Sequence, residues 1–270
     1  MVRLFGLLMA ILLAACGVET PPQVAGDVPS RIISLDYCAD QYVLKMVDKA
    51  RILAVSPDAT GAFSYMRETA QGVARVRPLA EDVLALRPDL IVRSYGGGPN
   101  AAAYFERAGI PVLQVGWASD VEGIKRVTRE MAEGLDAPEI GAAIVADMEA
   151  RLAVLAARDE TISALYMTPG GVTSGPGSLV HEMLVAAGLD NYQSEAGWHD
   201  LPLERLVLER PDMIAFASFD SHITPWSSAR HPVARAQVRD LPTAHLQGAW
   251  TACGGWFLVD AIEVLAETVP

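Results

Sequence analysis

The chain is short of cations, and what it lacks narrows its function early. Its 21 Lys and Arg face 33 Asp and Glu, for a formal net charge of −12. No basic residues cluster into a run, so a nucleic-acid partner is excluded, because phosphate binding needs grouped Lys and Arg. The N-terminal apolar run, Leu4 to Leu13, is too short to span a bilayer comfortably. Catalytic signatures are missing too. In Gly171-Val-Thr-Ser-Gly175 the serine does not sit between spaced glycines as a nucleophile elbow requires. The glycine-rich loops lack the lysine of phosphate loops. The chain therefore reads as a binder and not an enzyme, and absence of turnover would separate the two. Histidines are confined to positions 181, 199, 222, 231 and 245, whereas a bare metal ion held between two halves would draw ligands from both.

What is there begins with an export signal. Arg3 supplies a positive start, the apolar run follows, and Ala14-Ala15 precede Cys16, as at a secretory cleavage site. Leu13-Ala14-Ala15-Cys16 resembles a bacterial lipobox. That implies a signal peptide over residues 1–15 and an acylated Cys16 holding the protein on a membrane, since multiple acyl chains hold better than one. Residues 16–30, rich in Pro, Gly and Val, read as a tether. Export places Cys38 and Cys253 in an oxidising compartment. They either pair or stay as buried thiols. A bond closing 215 residues (253 − 38) would constrain the unfolded chain by about 5 kcal/mol in the chain-entropy model.

With 270 residues, 51% of them hydrophobic, the chain can bury one large core or two smaller ones. Over residues 31–118 short β-branched runs (Arg31–Leu35, Ile52–Ser56, Leu90–Val92, Ile110–Val115) alternate with helical spacing. Asp36 to Asp40 reads as a turn before a helix over Gln41–Asp48. A helix around Glu81 is expected to bury Leu79, Val83 and Leu86. Residues 119–158 carry no strand pattern and read as a helical connector with a break or kink between Gly134 and Pro138. Alternation resumes over residues 159–270, with a helix capped by Ser178 and stopped by Gly188. This predicts an α/β fold: two similar Rossmann-like lobes with parallel sheets.

A repeat supports two lobes. Leu79-Ala-Glu-Asp-Val-Leu-Ala-Leu-Arg-Pro-Asp-Leu-Ile-Val92 returns as Leu201-Pro-Leu-Glu-Arg-Leu-Val-Leu-Glu-Arg-Pro-Asp-Met-Ile214. Glu81, Arg87, Pro88 and Asp89 fall on Glu204, Arg210, Pro211 and Asp212, an offset of 211 − 88 = 123 residues. Each lobe thus has a helix with an outward Glu.

The lipobox, the two lobes, the connector, both Glu-x-x-x-x-x-Arg-Pro-Asp segments and Ser174-Gly-Pro-Gly-Ser178 together resemble the helical-backbone class of periplasmic substrate-binding proteins. That class serves ABC importers of cobalamin, ferric siderophores and haem. The resemblance covers about Arg31 to the C-terminus. It implies a monomeric, lipid-anchored periplasmic receptor, with no cofactor beyond the metal chelate it carries. Glu81 and Glu204 match the acidic residues that meet arginines on the permease. The connector implies small lobe closure.

Ligands of open α/β sheets bind beyond the carboxyl ends of strands. Tyr37, Tyr95, Trp117, Trp198, Phe219, Trp226 and Trp250 all lie in such loops, although aromatics make up only 7% of the chain. Large rigid aromatics suit a bulky chelate. Arg93 is the best cation for the cleft, with Arg230 behind it. So few cations favour a near-neutral corrinoid or a hydroxamate siderophore over a catecholate. Haem or a bare metal is the alternative, with His199 and His222 the loop histidines available as ligands.

Overall fold

The computed structural model describes residues 28–155, 161–218 and 226–269. Cys16 and Phe219 lie outside them, as does His222.

The first sheet holds β1 (Ile32–Ser34), β2 (Ile52–Ala54), β3 (Leu90–Arg93) and β4 (Val112–Gln114) in the order β2-β1-β3-β4. All its pairings are parallel, with Ile33 opposite Ile91. Every residue of β1 and β3 is buried, which is why these strands are continuous apolar runs and do not alternate. Helices α1 (Tyr37–Met46), α2 (Ala80–Ala85) and α3 (Ala101–Arg107) belong to this lobe. The residues read as a turn before the first helix are its first turn. Asp36 caps α1, accepting from the Ala39 amide at 3.0 Å, so the helix starts at Tyr37.

The second lobe holds β5 (Ser163–Met167), β6 (Val172–Ser174), α6 (Leu179–Ala186), β7 (Asp190–Asn191), β8 (Trp198–Asp200), α7 (Leu203–Leu208) and β9 (Met213–Ser218). It ends with α8 (Pro232–Asp240), β10 (Thr243–Gln247), α9 (Gly248–Thr251) and α10 (Leu258–Thr268). Its main sheet, β10-β9-β5-β7, is parallel throughout. Beside it β6 and β8 form an antiparallel pair with Thr173 opposite His199. Ser178 caps α6 through the His181 amide, as expected.

Between the lobes the connector is two helices, α4 (Val121–Gly134) and α5 (Pro138–Ala153). They do not continue through a kink but fold back on each other. Lys125 meets Glu149 at 3.1 Å. A Cβ on Gly141 would come within 2.3 Å of the Ala132 Cβ, so only glycine lets the helices approach this closely. Asp136, at φ 58, makes the turn. The buried face Ile124, Val127, Met131 and Leu135 is the one expected.

The repeat has a structural explanation. Asp89 accepts from the Ser30 and Arg31 amides, each at 2.9 Å, and Asp212 accepts from the Ser163 amide at 2.8 Å. In each lobe the Pro-Asp pair ends a helix and then holds the entry to the lobe's first strand. Around Glu81 the burial differs from expectation. Val83 is fully buried, but Leu79 and Leu86 are 43% and 37% exposed, because α2 is only six residues long and turns Ala80, Val83 and Leu84 to the core instead.

Candidate functional site

The carboxyl ends of the strands in both lobes open on one cleft. It encloses about 360 Å³. The first lobe supplies Tyr37, Cys38 and Tyr42 from α1, Ser94 and Tyr95 after β3, and Val115 to Ser119 after β4. The second supplies Gly177 to Val180 at the start of α6, Trp198 from β8, and Thr251 to Gly254 from the last residue of α9 onward. No charged side chain appears among the described residues of this lining.

The first wall is built around Asp36. One of its carboxylate oxygens accepts from the amides of Ser94, Tyr95 and Gly96 at 2.7, 3.0 and 2.8 Å. Three converging donors fix the loop after β3 and hence the direction of Tyr95. Tyr95 meets Tyr37 edge-on, with ring centroids 5.9 Å apart, and Phe63 lies at the same distance from Tyr37 on another side. Burial raises the Tyr37 phenol above its ordinary value. Burial also raises Tyr95, reinforced by Tyr37 and Asp36 beside it. Both are therefore neutral phenols at any physiological pH, and they are hydrogen-bonded to each other, Tyr95 donating to Tyr37, so the pair keeps one hydroxyl proton for a ligand.

Arg93 does not serve the cleft. It is 6% exposed and its guanidinium donates to Gly96 O at 2.8 Å, Gly98 O at 2.9 Å and Gln114 Oε1 at 2.9 Å. The glycine loop needs its carbonyls satisfied once buried, and Arg93 does this from within. Arg230 lies elsewhere in the second lobe, beside Met167, Phe216 and Arg235.

The other expected residues divide. Trp117 is 85% exposed at the rim, where Arg126 donates to its carbonyl at 2.9 Å. Trp198 is 60% exposed and packs edge-on against the buried Tyr166 at 6.4 Å. Trp250 is half-buried against the main core and does not line the cavity. Trp226 is 95% exposed and also outside the lining. His199 Nε2 faces Ala196 O at 2.9 Å, a local contact within its own strand approach. Glu81 and Glu204 are exposed on α2 and α7. Their neighbours are paired: Arg77 with Asp82 at 2.6 Å and Arg205 with Glu209 at 2.9 Å.

At the cleft floor Cys38 and Cys253 form a disulfide, with Cα atoms 5.6 Å apart. Close by, the Tyr42 hydroxyl donates to Gly254 O at 3.1 Å and its ring meets Trp256. Tyr65 donates to Asp260 at 2.8 Å and stacks on Phe257 at 4.7 Å. Asp260 also receives Arg151 at 2.7 Å. Tyr42, Tyr65 and Phe63 carried no signal in the sequence beyond being aromatic. The hydrogen-bond partners of Tyr42 and Tyr65 lie 212 and 195 residues away.

The two lobes thus frame a cleft lined by aromatic and small residues at the ends of two parallel sheets. A family model described as "Periplasmic binding protein" matches residues 32–228, and the chain belongs to that family. Among solved structures it is similar to the periplasmic heme-binding protein HutB of Vibrio cholerae (16% identity, 89% of this chain and 99% of that one, TM-score 0.73). It is also similar to the heme-binding protein RhuT from Roseiflexus sp. RS-1 in apo form (19%, 88% and 98%, 0.69). A third is the vitamin B12 binding protein BtuF of Vibrio cholerae (19%, 89% and 96%, 0.63). Among curated proteins, comparison finds no match.

Proposed function

We propose that this protein is the lipid-anchored receptor of an ABC importer and that it captures a near-neutral metal chelate, a corrinoid first, between its lobes. One observation carries the ligand class: the described lining of the cleft is aromatic and small-polar, with no charged side chain. An anionic chelate buried there would lose its hydration without gaining a counter-charge. A bulky, nearly neutral macrocycle would instead gain apolar contact with Trp117 and Trp198 and a hydrogen bond from the Tyr37 hydroxyl, itself held by Tyr95. Acylated Cys16 would hold the receptor on the membrane. Glu81 and Glu204 would meet cations on the permease. Exposed ion pairs contribute about 0–1 kcal/mol each, so their use is in steering and register.

Haem is the second reading, favoured by two phenols facing one cleft and by the haem-binding descriptions of HutB and RhuT. Titration of soluble protein beginning after Cys16 with cyanocobalamin, a ferric hydroxamate and haemin, followed by tryptophan fluorescence corrected for absorbance, separates the readings. Saturable quenching by cyanocobalamin alone supports the corrinoid. Quenching by haemin or the iron complex alone replaces it.

A further inference from the structure

The disulfide and the cleft occupy the same place. Cys38 is the second residue of α1 and follows Tyr37 directly; Cys253 lies two residues beyond Thr251, at the end of α9. Both cysteines are half-buried and both line the cleft. They come from opposite lobes, so their bond is a covalent tie across the floor in addition to the main chain. The ties around it are softer. They include two hydroxyl hydrogen bonds, Tyr42 to the Gly254 carbonyl and Tyr65 to Asp260, and ring contacts of Tyr42 and Tyr65 with Trp256 and of Tyr65 with Phe257.

We propose that Cys38–Cys253 is a positioning element of the ligand site: it pins the first turn of α1, and with it Tyr37, against the second lobe, and bound ligand seals it from reductants. This rests on the cleft being the ligand site. Two consequences are linked. A ligand that prefers the bridged form must disfavour reduction by the same factor by which reduction weakens its binding. With dithiothreitol the exchange balances as follows. A reagent thiolate attacks one cysteine sulfur, and a mixed disulfide forms as the Cys38–Cys253 bond breaks. The other cysteine leaves as a thiolate and takes a proton. The reagent's second thiol then closes a cyclic disulfide and expels the first cysteine, moving two electrons to the protein. The attacking thiolate must reach the sulfurs, and the cleft is the approach the lining provides.

The test uses the oxidised protein and whichever of cyanocobalamin, ferric hydroxamate or haemin saturates it. A saturating probe is expected to slow reduction by dithiothreitol at least tenfold, read by mass-resolved thiol alkylation. Reduced protein is expected to bind the probe at least tenfold more weakly, and reoxidation to restore affinity, which a general loss of fold would not do. Cys38→Ser/Cys253→Ser, or Cys38→Ala/Cys253→Ala should serine perturb folding, is expected to match the reduced protein. Circular dichroism checks that each is folded. Equal affinity of bridged and reduced protein, or a reduction rate indifferent to saturating probe, overturns the proposal. If none of the three probes binds, the chelate reading falls by itself. The tie is then judged on the empty protein, where unchanged amide exchange at residues 36–40 and 250–254 after reduction overturns it.

Discussion

Cys38 and Cys253 are 215 residues apart in the chain and 5.6 Å apart at their Cα atoms, one in each lobe. A loop of that length gives the cross-link a large effect on the unfolded ensemble, about 5 kcal/mol in the chain-entropy model, whose mechanism is disputed. For a protein of this size about 2–4 °C is lost per kcal/mol. Cys38→Ser/Cys253→Ser should therefore melt about 10 °C or more below the oxidised protein by differential scanning calorimetry. Equal melting temperatures would mean that native contacts such as Tyr65–Asp260 and Arg151–Asp260 hold the lobes without it.

Glu81 and Glu204 sit at equivalent places on α2 and α7, outside the ion pairs that engage Asp82 and Arg205. Neither lines the cleft. Glu81→Ala combined with Glu204→Ala should abolish chelate uptake in cells while leaving the dissociation constant of the purified protein unchanged. Uptake at the wild-type rate would remove both residues from docking.

Arg93 shows why a charged residue at a strand end need not face a ligand. Its three hydrogen bonds hold the carbonyls of Gly96 and Gly98 and the Gln114 amide. Truncation would leave the buried Gly96 carbonyl and the half-buried Gly98 carbonyl unpaired, at a cost on the order of 3 kcal/mol. Arg93→Ala should lower the urea midpoint accordingly and weaken ligand binding by loosening Tyr95. Arg93→Lys should rescue little, because a single ammonium cannot reproduce the guanidinium fork. Unchanged stability in Arg93→Ala would refute the structural role.

Local pattern made much of the fold legible, and long-range pairing hid the rest. Both parallel sheets were readable from continuous apolar strands separated by helical spacing, and the repeat announced two lobes. The start of α1 was misread because Asp36 and Asp40 bracket the segment and pass for turn residues, although Asp36 is an ordinary cap. The connector's reversal at Asp136 depends on Gly141 meeting Ala132, a contact that periodicity within one helix does not encode. The β6–β8 pair joins residues such as Val172 and Asp200 that show little alternation of their own. Tyr37, Tyr95 and Trp117 were legible as cleft-lining residues because they follow strands, whereas Trp198 lines it from the start of β8. Arg93 follows the same rule and was misplaced, since its partners, not its position, decide where its charge goes.

Asp40 gives a pH dependence. It is fully buried and accepts from the Ser56 amide and hydroxyl at 3.0 and 2.5 Å. Burial outweighs these bonds and raises its pKa to about 6 from 3.8. The folded form therefore holds its proton more tightly than the unfolded form. The associated stabilisation is fully present below about pH 4 and is lost as pH rises through about 6, on the order of 3 kcal/mol by pH 7.5. Asp40→Asn should lack this component. The difference in unfolding free energy between wild type and Asp40→Asn, followed from pH 4.5 to 7.5, should shift against the wild type. A constant difference would place Asp40's pKa at its ordinary value.

Trp198 and Trp226 offer the sharpest control on the cleft assignment. Both are exposed, at 60% and 95%, so exposure does not distinguish them. Only Trp198 lines the cavity, held from behind by Tyr166 at 6.4 Å. A ligand covering much of an indole face would gain about 1.5–3 kcal/mol from the apolar area removed from water, or roughly ten- to a hundredfold in affinity. Trp198→Ala should lose that much by isothermal titration calorimetry, and Trp198→Phe should keep most of the affinity while losing most of the fluorescence quenching. Trp226→Ala should bind as the wild type does. Equal losses at the two positions would mean that lining this cavity does not define the ligand site.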